Sequence, residues 1–221
     1  MSQGDLMIEK SDIENPLILL MSRGWDHDGW ENEFYPDDLP QDWRLSYYAN
    51  EFHGVVVPET DWLEINDCEE WVENVHEEFR FYLELTTDQG IKSGRLKQIV
   101  EFLGMRFAGL VVDNPDGLHS ALTAAGLHQL PVILPFGSCE GITIDGLWVD
   151  NPDDLVADEK ANSYFLDGKT SQSLADMRRL ADLLYQRSKP GSPSLMVFAG
   201  EVPDVRMMQD CRIMLNLMGI T

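Results

Sequence analysis

Short, mostly apolar runs, separated by amphipathic stretches, recur along this 221-residue chain, and that alternation limits its fold more than any other feature. The runs fall at residues 17–21, 55–57, 81–85, 110–112, 130–136, 142–149, 163–166 and 194–198. A run without polar alternation suits a strand buried on both faces, as in a parallel sheet covered by helices. Between the runs, helical spacing appears at 42–52, 67–79, 94–103, 118–127, 171–187 and 203–218. In 67–79 the apolar residues Trp71, Val75 and Phe79 stand four apart, and Ser171 is placed to cap the helix of 171–187. Seven or eight strands alternating with helices predict a parallel α/β domain. Two closures fit that pattern, a (β/α) barrel and an open parallel sheet. No Gly-x-Gly-x-x-Gly turn follows any run, which weighs against the dinucleotide-binding form of the open sheet.

One stretch after the first run is unusually rich in aromatics. Residues 24–52 read GWDHDGWENEFYPDDLPQDWRLSYYANEF, so that Trp25, Trp30, Phe34-Tyr35-Pro36, Leu39-Pro40, Trp43, Tyr47-Tyr48 and Phe52 are separated by turn formers. A strand ending in Gly-Trp, a Phe-Tyr-Pro turn and a helix carrying Leu-x-Tyr-Tyr-Ala resemble the start of the YecE-like family, domain of unknown function 72. The likeness extends to about Leu85 and returns at Tyr164-Phe165-Leu166-Asp167-Gly168 and Val197-Phe198-Ala199-Gly200. It implies a TIM-type barrel, shortened or partly degenerate, since a full barrel takes about 250 residues. It implies no activity, because the family has no settled one. The expected organisation is a flexible tail over residues 1–15 and one barrel over 16–221.

The polar strand ends of that family are largely replaced here. Where the family reads Val-Glu-Ile-Asn-Ser-Thr-Phe-Tyr, this chain reads Val55-Val56-Val57-Pro58-Glu59-Thr60-Asp61-Trp62, keeping Thr60 and an aromatic at Trp62. The family's strand-three Lys corresponds to Glu84, and its Glu-x-Arg strand to Val111-Val112-Asp113. The Arg and His of its seventh strand fall at Phe165 and Asp167, and the two Asn of its last strand at Ala199 and Gly200. In barrels such positions lie at the C-terminal strand ends, where active sites are built. Their loss argues for a non-catalytic or regulatory protein. The alternative is a divergent hydrolase or isomerase-type enzyme acting on a small polar substrate at the barrel mouth.

Charge bears on partners. Residues 1–90 hold 23 of the 39 acidic residues but only 4 of the 16 basic ones. An acidic surface repels phosphate backbones, so nucleic acid is not an expected partner; a basic protein is. The same charge also keeps a protein soluble without any partner. No apolar run approaches the roughly 20 residues of a membrane span. The first residues lack the basic and apolar regions of a signal peptide. Three widely spaced cysteines, Cys68, Cys139 and Cys211, suit reduced thiols. A cytoplasmic, bacterial-type protein is expected, without metal or cofactor.

Carboxylates mark many strand ends. Asp113 and Asp150 end two runs followed by the same text, Val112-Asp113-Asn114-Pro115-Asp116 and Val149-Asp150-Asn151-Pro152-Asp153, 37 residues apart. Asp167 ends another, Glu59 and Asp61 follow residues 55–57, and Glu201 follows the last. Converging carboxylates can hold a hard cation or serve as acid and base. Asp and Asn before proline also satisfy turn and cap donors, a purely structural role. Asp113, Asp150 and Asp167 are therefore the catalytic candidates. Trp25, His27, Thr60 and Trp62 are candidates for contact with a small ligand. Ser138-Cys139 lies after a strand without a nucleophile-elbow motif. The methionines near the C-terminus suit core packing or a soft surface.

Overall fold

The computed structural model describes residues 18–65, 69–135, 146–157, 160–168, 172–188 and 193–220. Leu17, Asp67, Cys68, Ser138, Cys139 and Ser171 lie outside these residues. Eight strands are described: β1 (Ile18–Ser22), β2 (Gly54–Val57), β3 (Arg80–Leu85), β4 (Phe107–Val112), β5 (Val132–Pro135), β6 (Gly146–Val149), β7 (Ala161–Leu166) and β8 (Ser194–Phe198). The helices among the described residues are α1 (Arg44–Ala49), α2 (Glu59–Glu64), α3 (Glu69–Glu73), α4 (Gln89–Lys92), α5 (Arg95–Leu103), α6 (Leu118–Ala124), α7 (Pro152–Ala157), α8 (Leu174–Arg187) and α9 (Val205–Met218).

All neighbouring strands pair in parallel, in the order β1-β8-β7-β6-β5-β4-β3-β2. The ends of that sheet meet: Arg23 bridges Val56 in parallel, and the Gly24 N–H donates to Val56 O at 2.8 Å. The result is a nearly closed eight-stranded TIM-type barrel, not an open sheet. Every strand of the repeat is present, and the economy lies in the connections. Helices α6 and α7 have only 7 and 6 residues.

Two cores follow from the pleat. One, made only of strand residues and their immediate extensions, fills the barrel interior with Met21, Val56, Tyr82, Val111, Ile133, Phe165, Leu195 and Val197. The intervening strand residues, such as Leu20, Val57, Leu83, Leu110 and Met196, face the helices and pack with Leu96, Ile99, Leu180 and Met208. Burial on both faces is why the strands read as mostly apolar runs.

Local chemistry sets the helix ends. Ser173 caps α8: its hydroxyl accepts from the Asp176 N–H at 3.2 Å, and the Asp176 carboxylate accepts from the Ser173 N–H at 3.1 Å. That reciprocal box needs an acid at the third position, which places the cap at Ser173. Asp204 caps α9 by accepting from the Met207 N–H at 2.9 Å. The two Asp-Asn-Pro-Asp segments fold alike at first, with Asn114 and Asn151 accepting from the N–H groups of Asp116 and Asp153 at 3.0 and 2.9 Å. They then diverge. Pro152 opens α7, whereas α6 begins only at Leu118, after Gly117 turns at φ 71°.

The expected acidic helix over 67–79 is short in the structure. Helix α3 ends at Glu73, and turns deliver Val75 and Phe79 to the core. The His76 ring bonds the Ala49 carbonyl at 3.1 Å, an anchor outside the helix. Helix α2, which the apolar pattern does not announce, starts directly after Pro58.

Candidate functional site

Sites on this fold form at the C-terminal strand ends. Here the barrel interior below that mouth is apolar, and an ion pair spans part of its rim. Arg23, just past β1, reaches Glu84 of β3 through two parallel bonds, Nε to Oε1 and Nη2 to Oε2, each 2.7 Å. The paired geometry is the strong form of the guanidinium–carboxylate contact. The bond to Glu84 raises the Arg23 pKa further above its usual value, and the charges of Asp61 and Asp113 add to the effect. Arg23 is thus a cation already matched, beside further carboxylates. Among the described residues, Arg23 therefore offers an anionic substrate no uncommitted charge.

Asp113 sits exposed at the end of β4, within the field of Arg23. Asp150 and Asp167 follow the adjacent strands β6 and β7, and both bear on the Tyr164 hydroxyl. Burial, first, and these charges push that hydroxyl up to about 12. Among the described residues no group of three His, Cys, Asp or Glu is placed to hold a metal ion.

The ligand-contact candidates are mostly engaged with the protein itself. Trp62 is fully buried and donates its indole N–H to Glu84 O at 2.8 Å. Its ring lies against Gly90, where an added Cβ would come within 2.1 Å of it. Thr60 is exposed and donates to the Asp61 carboxylate at 2.8 Å. Trp25 packs edge-on to Trp71 with centroids 5.2 Å apart. His27 is half-buried, with Nε2 3.0 Å from Arg23 O and its ring 4.6 Å from that of Trp30. Desolvation lowers its pKa below 6.5.

The aromatic block is a staple for the first loop. Trp30 is buried, stacks nearly parallel to Tyr48, and donates to Pro203 O at 2.8 Å, tying the first loop to the last. The Tyr48 hydroxyl donates to Gly54 O at 3.0 Å and accepts from the Ser22 N–H at 2.9 Å, joining β1 to β2. Arg44 is buried over the Tyr35 ring and reaches Asp26 and Glu31 at 2.5 Å each.

Sequence reasoning did not find the Arg23–Glu84 pair. Its signal was a charged residue inside the apolar text Phe81-Tyr82-Leu83-Glu84-Leu85, on the inward face shared with Tyr82. It also missed Glu59 as a buried carboxylate. Glu59 is 5% exposed and accepts from the N–H groups and hydroxyls of Thr86 and Thr87.

Fold and mouth together define a TIM-type barrel with an apolar interior and an acidic rim. Residues 22–125 match the model of the family described as protein of unknown function DUF72. That family is the YecE-like family, and its model covers just under half of the chain. Two crystal structures of DUF72 family proteins are similar in fold. The one from Thermotoga maritima MSB8 is 13% identical, with a TM-score of 0.50 over 90% of this chain and 99% of that one. The one from Enterococcus faecalis V583 is 10% identical, with a TM-score of 0.56 over 94% and 100%. No curated protein matches the chain.

Proposed function

We propose that this is a non-catalytic or regulatory barrel protein of a bacterial cytoplasm whose acidic face binds a basic protein. The observation that carries the reading is the apolar interior, with the guanidinium at its rim locked to Glu84. The binding face is drawn from the N-terminal half. Glu70, Glu73, Glu77 and Glu78 are exposed, without an ion pair among the described residues. Among the described residues no helix is long and apolar enough to cross a membrane. Pull-down from the native cytoplasm at low and high salt tests the reading. Capture of a basic protein should fall with salt, because exposed charges are screened beyond about 8 Å at physiological ionic strength, and should weaken in Glu70→Gln/Glu73→Gln. Capture indifferent to both changes contradicts it.

A second reading, a divergent hydrolase or isomerase-type enzyme on a small polar substrate, draws support from the charges of Asp150 and Asp167 both acting on the Tyr164 hydroxyl. If Asp113, Asp150 and Asp167 instead held a cation, Mg²⁺ or Mn²⁺ would raise the melting temperature and Asp113→Asn would abolish the rise. The first reading expects no such response.

A further inference from the structure

A crevice of about 310 Å³ lies at the C-terminal ends of β3 and β4, between the loops that follow them. Its floor is apolar, since Leu85, Ile91 and Leu118 are buried. Its rim is polar, and several donors of that rim are already committed. Thr86 and Thr87 give both N–H groups, at 3.1 and 2.9 Å, and both hydroxyl hydrogens to the buried Glu59 carboxylate. Thr87 Oγ1 also accepts from the Gln89 N–H at 3.2 Å. The Asp116 N–H goes to Asn114 Oδ1, and the Leu118 N–H to Pro115 O at 3.1 Å.

Among its side chains, what the rim still offers a ligand is mainly acceptors. Hydroxyl lone pairs remain on the two threonines, because Glu59 has fixed their hydrogens inward. Two carboxylates line the crevice, Asp88 and Asp116. Asp88 is shared with Lys92 at 2.5 Å, while Asp116 is exposed with no ion pair among the described residues. The Asn114 amide, the side-chain donor left on the rim, is neutral. An acceptor-lined rim over an apolar floor disfavours anions and suits a group that carries several N–H donors on a short hydrocarbon stem.

We propose that this crevice binds a small organic cation, an alkylammonium or alkylguanidinium group, with Asp116 as its principal carboxylate. This goes beyond the acidic-face reading, because the crevice stands on different loops and would take a free amine as well as a Lys or Arg side chain. The test is calorimetric titration of the full chain with putrescine and agmatine, with N-acetyl-lysine amide and N-acetyl-arginine amide, and with uncharged butanol and anionic glutarate as controls. The cations should bind saturably and the controls should not. Asp116→Asn, with an unchanged circular dichroism spectrum, should weaken binding on the order of tenfold, the effect of one lost charge-assisted hydrogen bond. Tighter binding of the acetylated amides would support a partner's side chain as the source, and tighter binding of the free amines a metabolite. Absence of saturable binding by every cation at about 10 mM, a concentration at which even a weak millimolar site fills, overturns the proposal. So does equal affinity for wild type and Asp116→Asn, or for the cations and the uncharged control.

Discussion

Trp30 shows how much of the first loop depends on single side chains. Its ring is enclosed by Phe34, Tyr35 and Tyr48, and its indole N–H reaches across to Pro203. Replacing it with Ala leaves a large cavity and an unmet carbonyl. Urea unfolding should therefore show Trp30→Ala destabilised by about 3–5 kcal/mol; an unchanged midpoint would show instead that the aromatics form a binding surface. His27 contributes a pH dependence. Burial lowers its folded pKa below the unfolded value of 6.5. In the window between the two values the unfolded chain holds the proton and the folded chain does not, so stability is present above 6.5 and declines as pH falls through the window. Going from about pH 7.5 to about pH 5.5, the urea midpoint should drop more in wild type than in His27→Gln. Equal drops would mean that His27 is freely solvated. These aromatic roles were legible as a cluster in the sequence. Their partners were not, because Pro203 and Gly54 are chosen by how the barrel closes.

Helix α3 shows where periodicity stops being a guide. Trp71, Val75 and Phe79 are all buried, as their spacing demands, yet the helix covers only Glu69–Glu73. Continuing it would have placed Glu77 one turn beyond Glu73, and like charges at that spacing repel. The bond from His76 to Ala49 O favours the turns instead. Neutralising part of this segment should relieve repulsion in the free protein. Glu70→Gln/Glu73→Gln is expected to be stabilised by a few tenths of a kcal/mol, about the size of i,i+3 and i,i+4 charge effects, and the gain should shrink as salt rises. Thermal denaturation at two ionic strengths measures this. A loss of stability would show that these carboxylates have stabilising partners within the chain. Capping was read more nearly right, since the cap of α8, Ser173, lies two residues beyond the serine chosen from sequence, where Asp176 completes the box.

At the scale of the whole molecule, the barrel was legible because its strands are buried on both faces and alternate with helices. The mouth was not. Which side chain at a strand end faces inward depends on register, and the register shifts at Phe81/Tyr82 and at Leu147/Trp148. A one-residue slip turns every following side chain to the other face. Strand-end carboxylates could therefore be counted in the sequence but not grouped. The charge of Asp113 acts on Arg23, and those of Asp150 and Asp167 act on Tyr164. The central claim is that the protein partner docks on the acidic outer face and not between Asp113, Asp150 and Asp167. Hydrogen exchange on the complex with the captured basic protein tests it most directly. The account predicts new protection across residues 69–80, with the loops around Asp113, Asp150 and Asp167 unchanged. Protection confined to those three loops, with residues 69–80 unaltered, would contradict it.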